Sequence, residues 1–248
     1  MLPVHNFSTL LKIPILVTCA YLYDRATTPP RTEKIEEQER ALGSKHISLL
    51  ERQIVIDAVC TTGKGVIWGC GLAETGVILA FQFPTHPLLL PAVRLLAAPR
   101  PLNVPNVGSL TSLFLVGAAF VIAGSLIRLW CFRTMGRLFT YRLTLRDQHR
   151  LVTSGPYAIV RHPSYTGAIM KAGGMLLVLF SPGSWWYEIG RYSPVGKAAA
   201  AAFVAVCTVG MQYYTRGKTE DQFLRRQFGK EWDAWAERVP YRYIPGVC

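Results

Sequence analysis

Five runs of apolar residues punctuate the chain. The run 107–127 holds no charge, and neither does the alanine-rich run 198–214. The run 66–83 is interrupted only by Glu74, and 7–23 contains Lys12 and Pro14. The shortest, 167–180, contains Lys171 and stops at the turn signal Ser181, Pro182, Gly183. A bilayer-spanning helix needs roughly 20 mostly apolar residues. The pattern therefore predicts an all-α, polytopic membrane protein with about five transmembrane helices, the last two able to form a tight hairpin. The N-terminal run has neither a basic start nor a small-x-small cleavage site, so it is expected to stay as an anchor. Gly65 and Gly69, four apart, would allow a close helix approach. Glu74, an acid inside a span, is either functional or paired with a buried polar group.

Between the runs the polar residues are distributed unevenly. The segment 31–60 is amphipathic, with mixed charge at Glu33, Lys34, Glu36, Glu37, Glu39 and Arg40 giving way to Ile47, Leu50, Ile54 and Val55. It reads as an interfacial helix. Lys and Arg number 6, 2, 6, 2 and 7 in the successive segments 24–52, 84–106, 131–166, 181–197 and 216–248. Loops rich in Lys and Arg stay cytoplasmic. The alternation agrees with five spans, an N-terminus on the far side and a cytosolic C-terminus.

Composition supports the pattern. Of 248 residues, 50% are hydrophobic and 17% charged, against roughly 25% charged in a soluble domain. Mean hydropathy is +0.24. So apolar a chain is not disordered. The six cysteines are scattered with no C-x-x-C pair, which argues against a disulfide scaffold and a thiolate zinc site. The net charge of +12 is divided among membrane loops, and no binding module for nucleic acid is visible. Topology and lipid headgroups account for most of it.

Two segments carry candidate chemistry. In the first, running from His149 to Gly167, Ser154, Gly155 and Pro156 signal a turn, and Pro163 pushes His162 out of the helical region. A helix should start at His162 or Pro163, at the cytosolic mouth of a span. Its free N–H groups would favour an anion, with His162 and Arg161 as further donors. Tyr157 and Tyr165 add faces that attract cations. Such a pocket suits a zwitterion with a carboxylate and an onium centre. In the second segment Arg216 and Glu220 lie four apart on one helix face, and Gly229 is a plausible stop.

These blocks resemble the isoprenylcysteine carboxyl methyltransferase family. The resembling residues are Leu151-Val-Thr-Ser-Gly-Pro-Tyr157, then Arg161-His-Pro-Ser-Tyr165-x-Gly167, and then Arg216, Glu220-Asp221, Leu224 and Phe228-Gly229-x-Glu231-Trp232. The likeness covers roughly 131–248. It implies a cofactor pocket built from the C-terminal half, holding S-adenosylmethionine on the cytosolic side of the endoplasmic reticulum membrane. It also implies methyl transfer to the C-terminal carboxylate of a prenylated cysteine. By position, His149, Arg150, Leu151, Val152, Tyr157, His162, Pro163, Ser164, Tyr165 and Glu220 would contact the cofactor. Arg216 would be the catalytic residue, contacting the substrate carboxylate. Arg142 stands where the family usually has glutamine, and Trp232 and Trp235 stand where tyrosines are commoner. The division implied is 1–130 for the N-terminal helices with the amphipathic segment, and 131–248 for the methyltransferase region.

The chemistry agrees with the residues. A terminal carboxylate, of pKa roughly 3.3–3.7, is already ionised at neutral pH. It needs orientation rather than a base, and a bidentate arginine is a natural clamp. The expected partners are prenylated cysteine and the lipid bilayer, with no nucleic acid and no metal. Because Cys248 is the last residue, the chain is not expected to be a C-a-a-X substrate itself. Three alternatives remain. One is a methyltransferase for a phospholipid amine or other small lipophile. Another is an NADPH-dependent sterol reductase, which the tail 239–247 also resembles. The third is an inactive scaffold.

Overall fold

The computed structural model describes residues 7–28, 53–83, 86, 106–139 and 150–247, without the side chains of 7, 53, 54, 56 and 212–215. Most of the amphipathic segment 31–60, together with Arg142 and His149, lies outside the described residues. The described secondary structure is helical throughout. In chain order the α-helices are α1 (Phe7–Thr27), α2 (Gln53–Gln82), α3 (Ser112–Met135), α4 (Pro163–Phe180), the short α5 (Trp185–Glu188), α6 (Pro194–Phe228) and α7 (Lys230–Arg238). Asp57–Gln82, Ser112–Leu138 and Pro194–Phe228 are long and apolar enough to cross a membrane. The protein is an all-α membrane protein.

Local chemistry sets the helix ends. The Thr111 hydroxyl accepts from the Phe114 N–H at the start of α3, and Ser193 does the same for Gly196 at the start of α6, where Pro194 takes the first position. Gly136 and Gly229, at φ +52°, end α3 and α6. Gly229 is thus the stop that the sequence suggests.

In lipid there is little hydrophobic drive between helices, so close packing and polar contacts hold them together. The tightest seam joins α3 to α4. A Cβ at Gly124 would lie 2.6 Å from the Gly167 carbonyl oxygen, and a Cβ at Gly174 would lie 2.6 Å from that of Gly117. The two pairs sit seven residues apart on both antiparallel helices, two turns along the seam. Gly65 and Gly69 do not provide a close approach: a Cβ at either would meet nothing within 4 Å. Four-residue spacing alone does not say which helix face meets a neighbour.

Polar contacts tie the helix ends into two opposite faces. On one, Lys12 forms an ion pair with Glu74 at 2.7 Å and donates to the Gly183 carbonyl at 2.9 Å. Glu74 also accepts from the Trp185 N–H at 3.0 Å. Glu74 therefore has the buried partner that one of its readings supposed. On the other face, Arg128 Nε donates to the Ala26 carbonyl at 2.7 Å, and Lys64 bonds Asp24 at 2.8 Å. Apolar packing around Leu16, Ile67, Val77, Phe114, Met175 and Phe203 fills the space between the faces.

Candidate functional site

The site is built at the second face, where α4 begins. Gly155 at φ +60° and Pro156 turn the chain through the short helix Gly155–Ala158 and aim Tyr157 inward. The Tyr157 hydroxyl donates to Met135 Sδ at 2.8 Å, and Trp235 Nε1 donates to the Tyr157 carbonyl at 3.2 Å. Burial holds the Tyr157 phenol well above the ordinary tyrosine pKa, so it stays neutral.

His162 is the N-cap of α4 and Pro163 its first residue, as the sequence predicts. The tail grips this start. The N–H groups of Arg161 and His162 donate to the carbonyls of Tyr241 and Arg242 at 2.9 and 2.8 Å. The Arg161 side chain donates to the carbonyls of Val239 and Pro240, both at 2.8 Å. Arg161, expected to add a donor to an anion site at the helix start, holds the tail instead. Carbonyl groups turned inward from water need donors, and this turn supplies them.

Two consecutive acids of α6 hold the same turn from the other side. Asp221 Oδ1 lies 2.9 Å from His162 Nε2, and its Oδ2 accepts from Arg242 Nε at 2.8 Å, with Arg161 at 3.5 Å. Glu220 accepts from the Tyr165 hydroxyl at 2.8 Å and lies 3.7 Å from His162 Nδ1. The rings of His162, Tyr165 and Tyr243 gather within 5.6–6.4 Å of one another.

Beside this cluster opens a cavity of about 400 Å³. Its polar rim takes in Arg150, His162, Tyr165, Glu220 and Trp235, and its apolar arm runs between Cys60 and Gly63 of α2, Leu176 of α4 and Val206 and Gly210 of α6. Among the residues expected to hold a ligand, Arg150, Leu151, Val152, Tyr157, His162, Ser164, Tyr165 and Glu220 all line it. Pro163 is buried as the first residue of α4, outside the lining. Arg216 stands one helical turn before Glu220, also outside the lining, with its charge acting on Tyr165. His149 cannot be compared, because it lies outside the described residues.

The sequence reading gave three side chains no role in the site. Arg128 and Lys171 line the cavity, and Asp221 organises its rim. Arg128 falls one residue past the uncharged run 107–127, and Asp221 sits beside Glu220 in the second block. Those positions were the available signals.

Fold and cavity together define a class: a helical membrane protein with a chamber that joins a polar, charge-bearing rim to an apolar arm between its helices. The residues that assemble the seam and the α4 turn carry a family likeness. Residues 117–185 match the model of the Isoprenylcysteine carboxyl methyltransferase family. The chain is 34% identical over 127 residues to the rice (Oryza sativa subsp. indica) protein named probable protein-S-isoprenylcysteine O-methyltransferase. That match covers 50% of this chain and 57% of the rice protein. It is 32% identical over 126 residues to Arabidopsis thaliana protein-S-isoprenylcysteine O-methyltransferase B, covering 50% of this chain and 55% of that one. The match thus spans little more than half the length of these curated relatives. A probable 7-dehydrocholesterol reductase of Acanthamoeba polyphaga mimivirus is 27% identical over 103 residues, 42% of this chain and 20% of its own.

Proposed function

We propose that this protein methylates the C-terminal carboxylate of prenylated cysteine, with S-adenosylmethionine as methyl donor. Its site would lie at the cytosolic face of the endoplasmic reticulum membrane. The observation that carries the reading is the meeting of two sequence blocks, more than 50 residues apart, on one chamber that is polar at the rim and apolar in its arm.

The residues fit the donor. A cavity of about 400 Å³ is within the range of small-molecule sites, roughly 300–1,000 Å³. Glu220 and the faces of Tyr157 and Tyr165 suit a cationic centre, and Arg150 suits a carboxylate. When bound, S-adenosylmethionine supplies an electrophilic methyl on a sulfonium. The chain's part is orientation. Tyr165 fixes Glu220 through its hydroxyl, and Asp221 fixes His162. Arg216, one turn from Glu220, balances that carboxylate and addresses the ionised carboxylate of the substrate. The arm between α2, α4 and α6 receives the prenyl chain and keeps water from the reacting groups.

In this reading 131–248 carry the cofactor and 1–130 complete the arm and the anchor. Helices α1 and α4 add two spans to the three long apolar helices, for five in all, with the C-terminus in the cytosol. The viral reductase likeness keeps a second reading open, in which the cofactor is NADPH.

One experiment separates these readings. Membranes containing the protein receive S-adenosylmethionine labelled on the methyl group, with farnesylated cysteine and a phospholipid amine in parallel. Label on the farnesylcysteine is expected. Label on the amine alone would move the assignment to lipid methylation. NADPH binding without S-adenosylmethionine binding would favour the reductase and end the methyltransferase reading.

A further inference from the structure

Lys171 is a basic residue deep in the helix bundle, 5% exposed, on a helix whose sequence is otherwise uncharged. Long helical side chains lean toward the N-terminus of their helix. Its ammonium accordingly reaches back to Thr27, donating to Oγ1 at 2.5 Å, and lies 3.6 Å from the centre of the Tyr23 ring. Arg128, equally buried, reaches the adjacent residue of the same helix end: its Nε donates to the Ala26 carbonyl at 2.7 Å. Its Nη1 donates to the Ser164 carbonyl and hydroxyl at 3.2 and 3.1 Å. Two cationic heads therefore meet on consecutive residues of the last turn of α1. Both line the cavity, where the polar rim gives way to the apolar arm.

Like charges brought together away from water repel strongly, and a lysine within a span is expensive. The same fold shows how it satisfies a buried lysine for structure alone: Lys12 has a carboxylate at 2.7 Å and stands away from the cavity. Among the described residues Lys171 has no carboxylate within ion-pair distance. It has a hydroxyl and a ring, so its amine group borders the chamber with no anion of the described residues to balance it.

We propose that Lys171, beside Arg128, binds the anionic head of an amphiphilic substrate and selects carboxylates over uncharged analogues. The proposal rests on the carboxyl-methylation reading and deepens it. The carboxylate would be held from the membrane side by Lys171 and Arg128, with the lipid chain running on past Gly63 and Gly210.

The test uses the full chain in detergent or nanodiscs and reads equilibrium binding of N-acetyl-S-farnesylcysteine and of its carboxamide. The intact protein is expected to prefer the carboxylate at least tenfold. Lys171→Met should weaken the carboxylate about ten- to a hundredfold, with carboxamide and S-adenosylmethionine binding unchanged. Lys171→Arg should keep the preference. Where the methionine variant does not fold, Lys171→Gln is scored by the same carboxylate-to-carboxamide ratio. An unchanged ratio, or equal loss of both ligands, overturns the proposal. So does displacement by phosphatidic acid nanodiscs with no carboxylate preference, which would make the site a lipid-headgroup contact. Carboxylate preference without methyl transfer would retain the Lys171 site and reject the activity. Transfer by a protein with no such preference would do the reverse.

Discussion

Glu220 and Asp221 are neighbours in sequence with different tasks. Glu220 is partly exposed on the cavity and is fixed by one phenol, whereas Asp221 is buried and joins three basic side chains. Tyr165→Phe removes a hydrogen bond to a charged group, worth roughly 1.5–3 kcal/mol. S-Adenosylmethionine affinity, measured by calorimetry, is expected to fall about ten- to a hundredfold in a folded protein. Asp221→Asn keeps the shape but loses the charge that organises His162, Arg161 and Arg242. A loss of roughly 3–5 kcal/mol in thermal unfolding is expected, larger than that of Tyr165→Phe, because buried basic partners lose their counter-charge. Arg216→Ala should abolish methyl transfer while cofactor binding largely survives. Equal loss of both would reassign Arg216 to the cofactor. Much at this scale was legible in the sequence, because the turn at Gly155 and the proline after His162 dictate local geometry. Arg128, Lys171 and Asp221 were not, since their roles arise from contacts made across 36 to 144 positions.

The helices show the same division between local and distant information. Apolar runs located the five long helices among the described residues, because length and hydropathy are local properties. Which faces touch was not readable. Gly65 and Gly69 have the spacing of a contact and face open space, while Gly117, Gly124, Gly167 and Gly174 form the seam. Gly124→Val should force α3 from α4, since the added atoms would meet backbone that cannot yield. Loss of the monodisperse peak on gel filtration is the expected sign. The Lys12–Glu74 pair obeys different physics. Removing one partner strands a buried charge, at a cost of roughly 3–5 kcal/mol, whereas replacing both with apolar residues is often neutral. Lys12→Met alone should destabilise the protein sharply, and Lys12→Met with Glu74→Leu should recover most of the loss in thermal unfolding.

Across the whole molecule, charge and apolarity divide the work. Most of the 27 basic residues lie in alternating loops, as a topology signal would require. A few are drawn inside: Arg128, Arg161 and Lys171 line the chamber, whereas Lys12 pairs with Glu74. The tail belongs to the site as well: Val239 to Tyr243 hold the backbone of Arg161 and His162 and the Thr166 hydroxyl. Deleting residues 241–248 is expected to leave the spans in the membrane and to abolish S-adenosylmethionine binding. The sequence showed this tail only as a likeness to a reductase, because its partners lie almost 80 positions earlier in the chain.

The central claim is that the chamber esterifies a lipid-borne carboxylate, and the bond formed tests it most directly. Purified protein is incubated with methyl-labelled S-adenosylmethionine and N-acetyl-S-farnesylcysteine, and the product is treated with mild base. The account predicts labelled farnesylcysteine that releases its label as methanol, with no label on the carboxamide analogue. Base-stable label, or label on the carboxamide as well, would contradict it.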